Sequence, residues 1–130
     1  MADHPNATLL RKGYEAFASG DMAVLTELFA ADVVWHVAGT SPISGVHRGR
    51  EAVFAAFAKT VELSGGSFKI ELHDVLANDE HTVALTRATG SRQGRQLSSL
   101  DTDVYHMSNG KVTEFWSFAE DQRLTDEFWS

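Results

Sequence analysis

Asp101, Asp103 and Tyr105 alternate along one run of the chain. Glu114, Trp116 and Phe118 alternate along the next, with Asn109-Gly110 between the two runs. An Asn-Gly step flanked by alternating segments is a strong signal for a tight hairpin. Residues two apart on a strand share a face, so each trio projects one way. If both trios share a face, carboxyls sit beside a phenol and large aromatic rings. A carboxyl desolvated by such neighbours holds its proton to higher pH, which suits acid–base work near neutrality. The same residues would equally serve as a wet sheet surface, and sequence alone leaves both readings open.

Several other chemistries lack their residues. Cysteine is absent, so neither a thiol nucleophile nor a disulfide framework is available. Six histidines fall at positions 4, 36, 47, 73, 81 and 106. No two have the i, i+4 spacing of a helical metal site, and no metal is expected. There is no nucleophile elbow, no phosphate-cradling loop and no dinucleotide fingerprint, so no cofactor is expected either. Gly65-Gly66 reads as a helix stop.

The elements that would position the acidic trio follow from period and punctuation. Asn6 can cap a helix whose apolar face is Leu10, Tyr14 and Phe17, and Gly20 stops it. Asp21 caps a second, short helix carrying Leu25, Leu28 and Phe29. From Asp32 the period changes, and Val33 to Val37, with Trp35 and His36, reads as a strand. Gly39 to Gly49 has turn chemistry only. Arg50 to about Leu63 returns to helical period, with Val53, Phe54, Phe57 and Val61 on one face. Four strands follow, over roughly 68–76, 82–91, 96–107 and 111–119, joined by short turns. Asp121 can cap a last turn or two carrying Leu124 and Phe128. Helices first and a meander afterwards predict an α+β domain spanning the chain, with helices on one face of a strongly curved sheet. Phe54 and Phe57 from the long helix, with Trp35, Trp116 and Phe118 from the sheet, could line an apolar pocket or fill a dry core.

The chain has 130 residues, 43% of them apolar and 10% aromatic, an ordinary globular composition. Its formal net charge of −7, with scattered Lys and Arg, argues against nucleic acid and against anionic membranes as partners. The first ten residues show neither a basic start nor an apolar core, and no apolar run approaches the ~20 residues needed to span a bilayer. A cytoplasmic protein is the expectation.

The order Tyr14-x-x-Phe17-x-x-Gly20-Asp21, Leu28-Phe29-Ala30-x-Asp32, Trp35, Gly39-x-x-Pro42-x-x-Gly45, Gly49-Arg50-x-x-Val53, Asn109-Gly110-Lys111-Val112 and Trp116-x-x-x-x-Asp121 covers nearly the whole chain. It resembles the nuclear-transport-factor-2-like superfamily, and within it the SnoaL-like polyketide cyclase and ketosteroid isomerase-like group. The resemblance implies a cone-shaped α+β barrel, a mostly antiparallel sheet enclosing a mostly apolar pocket with the helices. It also implies a homodimer packed through the outer sheet face and an apolar small-molecule ligand.

In the isomerases an aspartate at the end of the first strand is the base, while a tyrosine and a neutral aspartic acid hold the enolate. Aligning the Gly39 to Gly45 segment implies His36 as base; aligning from Phe29 implies Val37. Counting back from Asn109-Gly110 implies Asp103 as the neutral acid. The tyrosine position falls on Gly13, and Tyr14 reads as packing. Catalysis is thus expected of His36 and Asp103. Substrate contact is expected of Trp35, Phe54, Phe57, Arg87, Asp101, Tyr105, Trp116 and Phe118. The implied activity is cofactor-free isomerisation or cyclisation of an apolar carbonyl-bearing or polycyclic substrate. Epoxide hydrolases of the superfamily use an Asp-Arg-Asp set, for which Asp101, Arg87 and Asp103 supply the types. A non-catalytic binding or dimerisation module is the other alternative.

Overall fold

The computed structural model of the chain describes residues 3–130, so the reading of the N-terminus begins on two residues outside the described ones. The order is α1 (Pro5–Ser19), α2 (Met22–Leu28), β1 (Phe29–Val37), β2 (Gly45–Arg48), α3 (Arg50–Leu63), β3 (Lys69–Ala77), β4 (His81–Arg92), β5 (Arg95–Ser108), β6 (Lys111–Ala119) and α4 (Gln122–Trp129). The strands form one mixed sheet in the order β2-β1-β6-β5-β4-β3. Every neighbouring pair is antiparallel except β1 and β6, which run parallel. The sheet is curved but not closed, leaving β2 and β3 as its edges.

Helix starts follow local chemistry. Asn6 is not the cap of α1. Pro5 occupies the first turn, where its missing N–H costs nothing, and His4 accepts from the Asn6 N–H at 3.1 Å through Nδ1. The Asn6 side chain instead donates to the carbonyls of Asn78 (3.0 Å) and Asp79 (3.3 Å), tying α1 to the turn between β3 and β4. Asp21 and Asp121 do cap, accepting from Val24 and Leu124. On α4, Phe128 and Trp129 are buried and Leu124 is exposed. No helix of the described residues is long and apolar enough to cross a membrane.

One sheet face, carrying Val33, Trp35, Ala84, Tyr105 and Phe115, joins Leu10, Leu25, Leu28 and Val53 of the helices in the main apolar cluster. Two departures from the sequence reading decide what else lies on that face. First, the Gly39 to Gly49 segment contains β2. Its four residues pair only with β1 and carry no apolar alternation, so nothing in their pattern announces a strand. Second, the Asn109-Gly110 hairpin contains a β-bulge. Asn109 and Gly110 take φ of 52° and 74°, the two positive values a two-residue turn needs. Pairing then runs Ser108 to Lys111 and Met107 to Val112, but His106 to Glu114. Thr113 is the extra residue, and beyond it every β6 side chain is turned to the other face.

Candidate active site

The bulge separates the two trios. Asp103 stands opposite Ser117, Tyr105 opposite Phe115 and Asp101 opposite Ala119, all on the helix-facing side. Trp116 and Phe118 lie on the outer face with Glu114, and Phe118 is 58% exposed. The expectation that Trp116 and Phe118 line a pocket is therefore corrected. Without Thr113 the register would set Asp103 against Trp116; one extra residue reverses the face.

The same alternation removes His36 from the interior. Trp35 points inward and is buried, so His36, its neighbour on β1, points out. There its Nε2 lies 2.7 Å from Glu114 Oε2 and its ring stacks on Trp116, centroids 4.8 Å apart with planes 3° apart. His36 as the catalytic base is corrected: it does not reach the interior. Arg87 is likewise on the outer face, exposed and donating to Ser98 Oγ at 2.9 Å. Arg87 therefore does not meet Asp101 and Asp103, which removes the geometric ground for the epoxide hydrolase alternative. Phe54 packs in the apolar cluster 5.9 Å from Phe29 but does not border the cavity described next.

A cavity of about 190 Å³ lies between the sheet and the helices. Trp35, Phe57, Tyr105, Asp101 and Asp103 all border it. Other walls come from Phe17 of α1, the 38–44 segment through Ser41 and Ile43, and α4 through Gln122, Asp126 and Trp129. Trp35 and Phe115 stack at 3.7 Å, and Trp35 meets Phe57 edge-on at 5.1 Å. Aromatic pairs in these arrangements hold one another's rotamers by packing alone.

Four hydroxyl and carboxyl groups form one connected polar patch of the wall. Tyr14 donates to Asp103 Oδ2 at 2.5 Å, and Ser117 donates to Asp103 Oδ1 at 2.7 Å. The Tyr105 hydroxyl lies 2.6 Å from that of Tyr14. With the Tyr14 proton committed to Asp103, Tyr105 is the donor in that contact. Tyr14 is thus not a mere packing residue. It lies on the helix face marked by Leu10 and Phe17, but a tyrosine buried there needs a partner for its hydroxyl, the one signal that could have found it. Ser117 was missed because the bulge puts it where Trp116 was expected.

Burial pushes the Asp103 carboxyl up to about 6; the Tyr14 and Ser117 hydrogen bonds hold it down, and nearby Asp101 adds to the rise. Burial, with Tyr105 and Asp103 adding, raises Tyr14 well above the usual phenol range, and burial with Asp103 does the same to Tyr105. Both phenols therefore stay protonated as donors. Asp101 is only half-buried. Desolvation raises it, the Ser99 hydroxyl at 2.6 Å holds it down, and Glu120 adds to the rise.

Comparison with known proteins agrees with this architecture. Residues 10–115 match the model of the SnoaL-like domain. The chain is 34% identical to uncharacterized protein Rv0034 of Mycobacterium tuberculosis over the full length of both. The structure of Bal32a, from a soil-derived mobile gene cassette, superimposes with a TM-score of 0.93 at 41% identity, covering 97% of each chain. A nuclear-transport-factor-2-like protein from Burkholderia xenovorans shares the fold with a TM-score of 0.84 at 22% identity, covering 100% of this chain and 99% of its own. With its open mixed sheet, four helices and matched span of residues, this chain belongs to the SnoaL-like domain family.

Proposed function

We propose that this protein is a cofactor-free acid–base enzyme of the isomerase or cyclase type, acting on an apolar carbonyl compound held in the cavity. The observation that carries this reading is Asp103, buried among aromatic rings with a carboxyl poised at about 6. A group with that pKa is populated in both protonation states near neutrality, the condition for efficient proton transfer. Unequal surroundings divide the roles of the two aspartates. Asp103, the deeper, donates its proton toward the carbonyl oxygen as negative charge develops there. Asp101, half-buried and two residues away on the same strand face, stands roughly 7 Å along the strand. With its carboxyl ionised it takes the proton from the adjacent carbon and delivers it to a conjugated carbon, while Asp103 recovers its own proton as the carbonyl re-forms. The double bond moves with no net change in protons, and return to the original carbon gives hydrogen exchange alone. Tyr14, Tyr105 and Ser117 are positioning residues, fixing the Asp103 carboxyl through a chain of hydroxyls.

The test is exchange of α-hydrogens of a small aryl ketone in deuterated buffer, followed by proton NMR. Asp103→Asn should lower the catalysed rate by about 10²-fold or more while the fold persists. An unchanged rate in that variant overturns the assignment.

One observation favours a second reading. Both Asp103 oxygens already have partners inside the protein, which suits a polar anchor of a binding module as well as an acid. Thermal stabilisation by aryl ketones with no exchange above background distinguishes it. We also propose a homodimer through the outer sheet face, supported by the exposed Phe118 and by the outward His36–Trp116 stack.

A further inference from the structure

We propose that the cavity selects an uncharged molecule of one or two rings with a single polar end, and rejects anions and four-ring skeletons. This rests on the reading of the same cavity as a binding site, and it narrows the ligand by two independent properties of the walls, charge and volume.

Charge comes first. The ionisable side chains bordering the cavity, besides the two tyrosines, are Asp101, Asp103 and Asp126. No lysine, arginine or histidine borders it among the described residues. Arg87, the cation nearest in sequence logic, is turned to the outer face. A carboxylate or phosphate entering this space would shed its hydration with no cation to meet it, beside carboxyls that repel it. A carbonyl pays far less, because a protonated Asp103 can donate to it. A ligand hydroxyl can donate to the oxygens of Ser99 and Ser117, whose own protons go to Asp101 and Asp103. The formal charge of the whole chain, −7, points the same way.

Volume is the second constraint. A space of about 190 Å³ is a little larger than the ~150 Å³ apolar cavity that takes up benzene. It falls below the roughly 300 Å³ at which pockets for drug-sized ligands begin. The walls are set by stacked and edge-on rings, Trp35 on Phe115 and Phe57 on Trp35, and a close-packed aromatic wall does not yield cheaply. A fused pair of rings is therefore about what the walls enclose, and a four-ring skeleton would have to leave apolar rings outside them. The ligand is thus smaller than the polycyclic substrate that the family resemblance implies.

The experiment is calorimetric titration of the full chain with three probes: α-tetralone, α-naphthoate and a neutral four-ring steroid ketone. The naphthoate keeps two rings and adds a charge; the steroid keeps neutrality and adds size. Affinity for tetralone should exceed that for each of the others by at least about tenfold. A smaller ratio for either, or no binding of tetralone, overturns the proposal. In Asp101→Asn, and equally in Asp103→Asn, the gap between tetralone and naphthoate should narrow; persistence of the full gap in both overturns the charge argument. Tetralone that binds but exchanges no α-hydrogen removes the catalytic reading and leaves this one standing. Exchange of tetralone with naphthoate bound as tightly does the reverse.

Discussion

At the scale of the residue, Asp103 concentrates the chemistry and also a cost in stability. Its folded value of about 6 lies above the ordinary 3.8, so the folded state binds the proton more tightly than the unfolded chain does. The stabilising contribution is complete below about pH 4 and is lost as pH rises through about 6. The difference amounts to about 3 kcal/mol. Urea unfolding across that range should show the parent chain losing up to this much relative to Asp103→Asn; parallel pH profiles for the two would contradict the burial argument. Tyr14→Phe removes a donor that favours the carboxylate, so the Asp103 midpoint should move up from about 6 when followed by NMR. It also strands the buried Tyr105 hydroxyl, at about 1–3 kcal/mol.

At the scale of the element, the join between the 38–44 segment and α4 borders the cavity. Asp126 accepts from the Thr40 N–H at 3.2 Å, and Gln122 donates to it at 3.0 Å. Gly39 makes the join possible: its φ is +95°, and a Cβ there would fall 1.9 Å from Asp126 Oδ1. Gly39→Ala must therefore strain the backbone and displace the carboxylate together. We expect a loss of about 1–3 kcal/mol in unfolding free energy, and faster hydrogen exchange at the Thr40 amide. Asp126→Ala should speed that amide without the backbone strain; slow exchange in both variants contradicts the join.

Across the whole molecule, the register lines up Val46, His36, Trp116, Val104, Val83 and Leu76 in one row over all six strands. The row lies on the face away from the helices, with Val46 and Leu76 half exposed and Phe118 beside it. A self-complementary row of this kind suits a two-fold contact with a second copy. Sedimentation velocity at tens of micromolar should then report a dimer. Phe118→Arg, which alters an exposed side chain and so spares the fold, should shift it to monomer. A parent chain that sediments as a monomer excludes the proposed assembly.

What was legible in the residues alone was whatever depends on neighbours in sequence. The limits of α3 and β6, the Asp21 and Asp121 caps, the Asn109-Gly110 turn and the α+β order all follow from period and punctuation. They hold because capping, turn dihedrals and alternation act within a few residues. The folded chain decided which groups meet. Thr113 enters β6 as one unpaired residue and so exchanges Trp116 for Ser117 beside Asp103. The pairing of β1 sends Trp35 inward and His36 out, and α1 brings Tyr14 across 89 residues of sequence to the same carboxyl. A strand has two faces and a period of two, so a single-residue shift reverses every side chain. Nothing local in the sequence reports that shift; only pairing and burial against the helices select it.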